Sequence, residues 1–166
     1  MRNTLFIDFG GVIVDEGPEW GTEKYLDRPA IKDSFLYISK LINEIFGAES
    51  TFIISKVKSN SGMTKTLDWL DKKSFFTETG FNPYHIRFCG SRMEKFFIAK
   101  ELGICYGIDN RCEIFSLLDN YNCYFERGFV LNPREDDYIR YKGTFSDRIR
   151  RVATWEEIYK SLNTIS

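Results

Sequence analysis

Histidine is nearly absent: the 166-residue chain has one, His85, and its four cysteines, Cys89, Cys105, Cys112 and Cys123, include no CxxC pair. That scarcity signals neither a zinc framework nor a disulfide scaffold. The thiols read as reduced, with Cys105 a buried small hydrophobe in an apolar run. An excess of one charge sign is lacking too. The 23 Lys and Arg against 24 Asp and Glu give a net charge of −1, so no global field draws the chain to nucleic acid or an anionic membrane. The local basic run Arg148-Ile149-Arg150-Arg151 reads as a solvated face. No apolar run is long enough to cross a bilayer, and Asp8 interrupts the stretch that could otherwise pass for a secretory signal. The expectation is a soluble cytoplasmic protein. Internal repeats and low-complexity segments are also missing.

Core-forming residues are plentiful. With 43% hydrophobic residues, 15 Phe and 9 Tyr, the composition suits a packed globular fold. The length suits one domain over residues 1–166. The run Leu5-Phe6-Ile7 reads as a buried parallel strand that delivers Asp8 to its carboxyl edge, followed by Gly10 and Gly11. The polar stretch Asp15 to Arg28, with Gly17-Pro18 and Gly21, reads as a loop or small flap over that edge. Pro29 suits the first turn of a helix whose apolar residues are Ile31, Phe35, Ile38, Ile42 and Ile45, with Gly47 at its end.

Further along, Phe52-Ile53-Ile54 predicts a second buried strand ending at Ser55. Met63, Leu67 and Leu70 predict an amphipathic helix, and Tyr84 to Phe88 a third strand. Met93, Phe96, Phe97 and Leu102 predict a helix closed by Gly103. The run Ile104 to Ile108 predicts a strand delivering Asp109 and Asn110, followed by a helix through Ile114, Leu117 and Leu118. Cys123-Tyr124-Phe125 predicts a strand, and Trp155, Ile158, Tyr159 and Leu162 a terminal helix. Strand alternating with helix implies an α/β fold with a parallel, doubly wound sheet flanked by helices.

Asp8, Ser55, Lys95 and Asp109 would then gather at one sheet edge, where open α/β sheets hold ligands. In their order they resemble the haloacid dehalogenase-like (HAD) hydrolase superfamily over nearly the whole chain. The resemblance rests on Phe6-Ile7-Asp8-Phe9-Gly10-Gly11-Val12, on Phe52-Ile53-Ile54-Ser55, and on Lys95 to Ile104 followed by Tyr106-Gly107-Ile108-Asp109-Asn110. Val152 with Trp155-Glu156-Glu157-Ile158 is similar to the family's closing segment. The resemblance implies a three-layer Rossmannoid fold with a short flap and no large cap, since neither interval between the motifs holds a cap domain. It implies a Mg²⁺-dependent phosphatase in which Asp8 forms an aspartyl-phosphate. Asp8, the Gly10 carbonyl and Asp109 would hold Mg²⁺. Lys95 would steady nucleophile and phosphate, and Ser55, Gly11 and nearby N–H groups would hold phosphate oxygens. An uncapped site would admit a phosphorylated small molecule or macromolecule.

Two positions depart from the family's pattern. Gly10 stands where a second Asp usually protonates the leaving group, and Asn110 stands where an acidic pair is common. The flap carboxylates Asp15 and Glu16 are candidates to swing in as substitutes, and a solvated loop carboxylate is the preferred reading of both. The alternative reading is therefore a catalytically weak or inactive phosphate- or partner-binding module. A receiver domain fits less well, because receivers cluster acids before the strand-end Asp. Lys95 is preferred over Lys100 by its spacing to Asp109, and His85 reads as structural.

Overall fold

In the computed structural model, which describes residues 3–164, an all-parallel sheet of six strands runs in the order β3-β2-β1-β4-β5-β6. Strand β1 (Leu5–Ile7) lies between β2 (Thr51–Lys56) and β4 (Tyr106–Asp109). Strand β3 (Ile86–Cys89) forms one edge, and β5 (Arg127–Leu131) and β6 (Ile149–Val152) complete the other side. Chain progression reverses at β1, so a crevice opens beyond the carboxyl ends of β1 and β4.

Alternation of side chains divides the core into two layers. Leu5 and Ile7 of β1, Ile53 of β2 and Ile108 of β4 face α1 (Ser34–Lys40), α2 (Asn60–Lys72), α3 (Phe75–Thr79) and α7 (Trp155–Asn163). Phe6, Phe52 and Ile54 face α4 (Arg92–Glu101) and α5 (Cys112–Tyr121), with α6 (Glu135–Tyr141) packed alongside. The result is the expected three-layer α/β fold. No helix among the described residues is long and apolar enough to cross a membrane.

Two glycines shape the second layer. Gly107 of β4 and Gly128 of β5 are in register with each other, and Gly107 is in register with Phe6. A Cβ on Gly128 would lie 2.5 Å from the Phe115 ring, and one on Gly107 would collide with Phe6. The bare backbone is thus the slot into which the two rings pack.

Several expectations need correction. Cys123 to Phe125 is a turn and not a strand: Phe125 is buried, but the strand lies later, at β5. Strand β6 and helix α6 are not marked by the apolar pattern of the sequence. The basic run is partly edge strand, and its ends are paired: Arg148 with Asp119 at 2.9 Å and Arg151 with Glu135 at 2.7 Å. Pro29 precedes the first helix without entering it, because its carbonyl accepts from the Asp15 N–H and Ala30 bridges to Val14. The helix begins at Ser34 and continues as a π-helix over Leu41–Phe46, ending at Gly47 with φ 83° as the sequence suggests. His85 is structural: it stacks on Phe52 at 4.6 Å and meets the Thr51 carbonyl through Nδ1 at 3.2 Å. Cys89, Cys105 and Cys112 are buried free thiols, and Cys123 is an exposed one.

Candidate active site

Asp8 follows the last residue of β1, and its N–H donates to the Ile108 carbonyl at 2.9 Å, which continues the ladder just far enough to fix the carboxylate beside β4. The chain then turns sharply. The Phe9 carbonyl accepts from the N–H groups of Val12, Ile13 and Val14, and Gly11 takes a φ of 74°, a region that suits glycine. Val12, Ile13 and Val14 are buried, and the Trp155 indole donates to the Val12 carbonyl at 3.0 Å, so the terminal helix holds this turn from behind.

Lys95, on α4, joins two strand ends. Its Nζ donates to Asp8 Oδ1 and to Asp109 Oδ2, both at 2.7 Å. Burial opposes the lysine's charge, but Asp109 and Asp8 more than offset this and hold its pKa above the usual range. Burial and then the neighbouring Asp109 push Asp8 up to about 7, against the downward pull of Lys95. Two buried carboxylates share one cation, so Lys95 does not offset burial and the Asp109 charge together. Side-chain exposure separates the two acids: 12% for Asp8 and 2% for Asp109. Asp8 is the carboxylate open to the cleft. Asp109 also lines the cleft but is less exposed, and its Oδ1 accepts from the Arg111 N–H at 2.9 Å.

The cleft above them, of ≈ 510 Å³, is also lined by Ser55, Gly10, Gly11 and Asn110. The sequence-derived set of Asp8, Gly10, Gly11, Ser55, Lys95 and Asp109 is thereby assembled in one place. Lys100 is exposed, away from this ion-pair cluster. Gly11 differs in one respect from its expected role: its N–H donates to the Val14 carbonyl at 2.8 Å, so it has no free amide to offer a phosphate. The Asn110 amide packs so closely over Gly11 that a Cβ there would collide with it.

Residues beyond that set also reach the cleft. Lys56, Lys58, Arg92 and Arg111 line it, giving the cleft positive charge that the balanced composition conceals, although Arg92 is paired with Glu113 at 2.9 Å. Adjacency is the sequence signal that could have found two of them: Lys56 follows Ser55, and Arg111 follows Asp109-Asn110. The flap supplies Glu16. Its carboxyl atoms lie 2.5–2.7 Å from where a Cβ on Gly10 would be, so the side chain occupies the space a larger residue 10 would claim. Burial raises the pKa of Glu16, and the Arg111 charge partly counters this. The expectation of a solvated Glu16 is thus corrected. Asp15, in contrast, is exposed and pairs with Arg28 at 3.2 Å.

The donor set bears on which metal the site suits. No group of three or more His, Cys, Asp or Glu side chains that could hold a metal occurs among the described residues. Two converging carboxylates beside a cleft fit a hard cation that keeps several waters and takes further oxygens from substrate, the pattern of Mg²⁺.

No family model and no curated protein sequence matches the chain. Solved structures do. A D,D-heptose 1,7-bisphosphate phosphatase from B. bronchiseptica, complexed with magnesium and phosphate, superposes with a TM-score of 0.71 at 10% identity, covering 99% of both chains. The D,D-heptose 1,7-bisphosphate phosphatase from Burkholderia thailandensis gives a TM-score of 0.65 at 10% identity, covering 98% of this chain and 99% of that one. Over nearly its whole length, then, this chain has the small HAD-like fold of these phosphatases.

Proposed function

We propose that the protein is a Mg²⁺-dependent phosphohydrolase that works through an aspartyl-phosphate on Asp8. The observation that carries this reading is the bridge of Lys95 Nζ to Asp8 and Asp109, 2.7 Å each, at the point where chain progression in the sheet reverses. The fold shared with two phosphatases supports it.

The chemistry follows from charge. A phosphoryl group carries negative oxygens that repel an attacking carboxylate, so attack requires those oxygens to be neutralised and aligned. Mg²⁺, held by Asp8, Asp109 and the Gly10 carbonyl, would supply that neutralisation when bound. Asp8 attacks phosphorus, being the more exposed of the two acids, and the bond to the leaving oxygen breaks. Lys95 favours the ionised form of Asp8 and orients it, and Asp109 in turn orients Lys95. Ser55 offers a hydroxyl to the phosphoryl oxygens from the neighbouring strand. Lys56, Lys58 and Arg111 raise the local concentration of an anionic substrate. Water then attacks the phospho-Asp8 phosphorus, releasing inorganic phosphate and restoring the carboxylate. The open cleft suits a phosphorylated small molecule or an exposed phosphate on a macromolecule.

The test is phosphate release from a panel of phosphomonoesters, acyl phosphates and phosphoanhydrides, with Mg²⁺ or with chelator, by wild type and Asp8→Asn. Release that needs both Mg²⁺ and Asp8 is the expected result. Release unchanged in Asp8→Asn overturns it. A folded wild type that binds phosphate ligands and releases none would instead support a binding module.

A further inference from the structure

Transfer of a phosphoryl group to Asp8 leaves a negative charge on the departing oxygen. For an alkyl phosphate that oxygen is a strongly basic alkoxide, and departure is slow unless a proton arrives with it. The donor must lie in the cleft and be free of a fixed partner. Asp8 and Asp109 are both bound to Lys95, and Asp15, which also lines the cleft, is paired with Arg28. Glu16 lines the cleft alongside Asp8. No hydrogen bond or ion pair among the described residues engages its carboxylate.

Gly10 shows that this placement is specific to the chain. Its φ lies outside the left-handed region, so its backbone does not demand glycine. The three atoms nearest to a Cβ built there all belong to the Glu16 carboxylate, at 2.5, 2.6 and 2.7 Å. Absence of a side chain at residue 10 is therefore what makes room for the carboxyl group of residue 16, two positions past the nucleophile in space though eight along the chain.

We propose that Glu16 is the general acid and base of the reaction, delivered by the flap into the space that Gly10 leaves beside Asp8. This rests on the phosphohydrolase reading. In the first step an Asp8 oxygen forms a bond to phosphorus, the bond from phosphorus to the leaving oxygen breaks, and that oxygen takes its electron pair and the Glu16 proton. In the second step the Glu16 carboxylate accepts a proton from water as the water oxygen bonds to phosphorus. The bond from phosphorus to Asp8 breaks, its electron pair returning to the carboxylate, and Glu16 is again protonated.

The experiment measures kcat/KM for alkyl, aryl and acyl phosphates with wild type, Glu16→Gln and Asp8→Asn. Removing a general acid costs about 10²–10⁴-fold where the leaving group needs the proton. The expected result is a loss of that size on alkyl phosphates in Glu16→Gln, shrinking progressively as the leaving group improves. A uniform loss across the series, or none, overturns the role of Glu16. So does a wild type that hydrolyses acyl phosphates but no alkyl phosphate. Absence of any Asp8-dependent release would instead overturn the phosphohydrolase reading itself, so the two failures are distinguishable. As a second variant, Gly10→Asp in a Glu16→Ala background returns a carboxylate to the vacated space and raises the ratio of alkyl to acyl turnover above that of Glu16→Ala alone. An unchanged ratio counts against the proposal.

Discussion

The floor of the cleft and its flap are built by opposite means. On the floor, Asp8, Ser55, Lys95 and Asp109 stand at strand ends or on a helix packed behind them, and all four are buried. The flap is two short 3₁₀ turns, Pro18–Gly21 and Glu23–Asp27, without a buried residue. It is held by a few contacts instead. Arg28 donates to the Asp15 carbonyl at 2.8 Å and to Glu19 Oε2 at 2.9 Å, Trp20 packs on Phe9 at 5.5 Å, and the Trp69 indole donates to the Arg28 carbonyl at 3.0 Å. The floor's geometry is inherited from the sheet and cannot change without cost to the core. The flap's is local, and can change while the sheet stays as it is. On the proposed mechanism, a site divided in this way keeps its nucleophile fixed and leaves proton transfer to the adjustable part.

The largest effect should come from breaking the floor's charge balance. Lys95→Met leaves Asp8 and Asp109 facing each other without their cation, and removing one partner of a buried ionic group typically costs about 3–5 kcal/mol. Urea denaturation should show that loss, and adding Asp8→Asn to Lys95→Met should recover part of it by removing one of the stranded charges. If the double variant is no more stable than the single one, the lysine's role is packing over Phe6, whose ring centroid lies 5.2 Å from Nζ, and not charge compensation. Next in size is a change that touches no charge. Gly128→Val fills the slot that receives Phe115, and overpacking of this kind costs about 1–3 kcal/mol. Thermal unfolding should show the loss. A stability equal to wild type would mean that the two glycines do not define the slot.

The same division governs what the sequence discloses. Strands β1, β2 and β4 are central and buried on both faces, so they read as apolar runs, with the candidate acids marked by their position at or just beyond the strand ends. Strand β5 carries Gly128 because a ring from α5 needs the space, and the apolar signal is weakened where the strand begins. Strand β6 is an edge with Arg150 and Arg151 exposed, and it reads as a charged surface run for that reason. Phe125 is buried at a turn, which is why an apolar triplet there imitates a strand. Glu16 is the least legible of all. Its place depends on the return of the chain at Arg28, on Trp20 meeting Phe9, and on the empty volume at Gly10. No pattern within a short window of sequence reports these together.

The smallest effect on stability separates the two regions most clearly. Arg28→Ala removes the ion pair to Asp15, the bond to Glu19 and the donor to the Asp15 carbonyl, yet the arginine is near the surface and such pairs contribute about 1 kcal/mol or less each. Global unfolding should therefore hardly move. Gly17 would lose its neighbour as well, since the Arg28 guanidinium lies 2.6 Å from where a Cβ on Gly17 would be. With its clamp gone, the flap should open locally while the sheet stays closed, because local and global opening have separate free energies. Limited proteolysis should then cut between residues 17 and 27 faster than in wild type, at conditions where Lys95→Met is the variant with the lower unfolding midpoint. Catalysis should follow the flap: turnover of alkyl phosphates falls as Glu16 loses its fixed position, and acyl phosphates suffer less. Equal resistance to protease in Arg28→Ala and wild type would show that the remaining contacts, Trp20 on Phe9, Tyr25 on Asp68 and Leu26 on the core, suffice to hold the flap. A matching fall in global stability would show that floor and flap unfold as one unit, and the contrast between them would not survive.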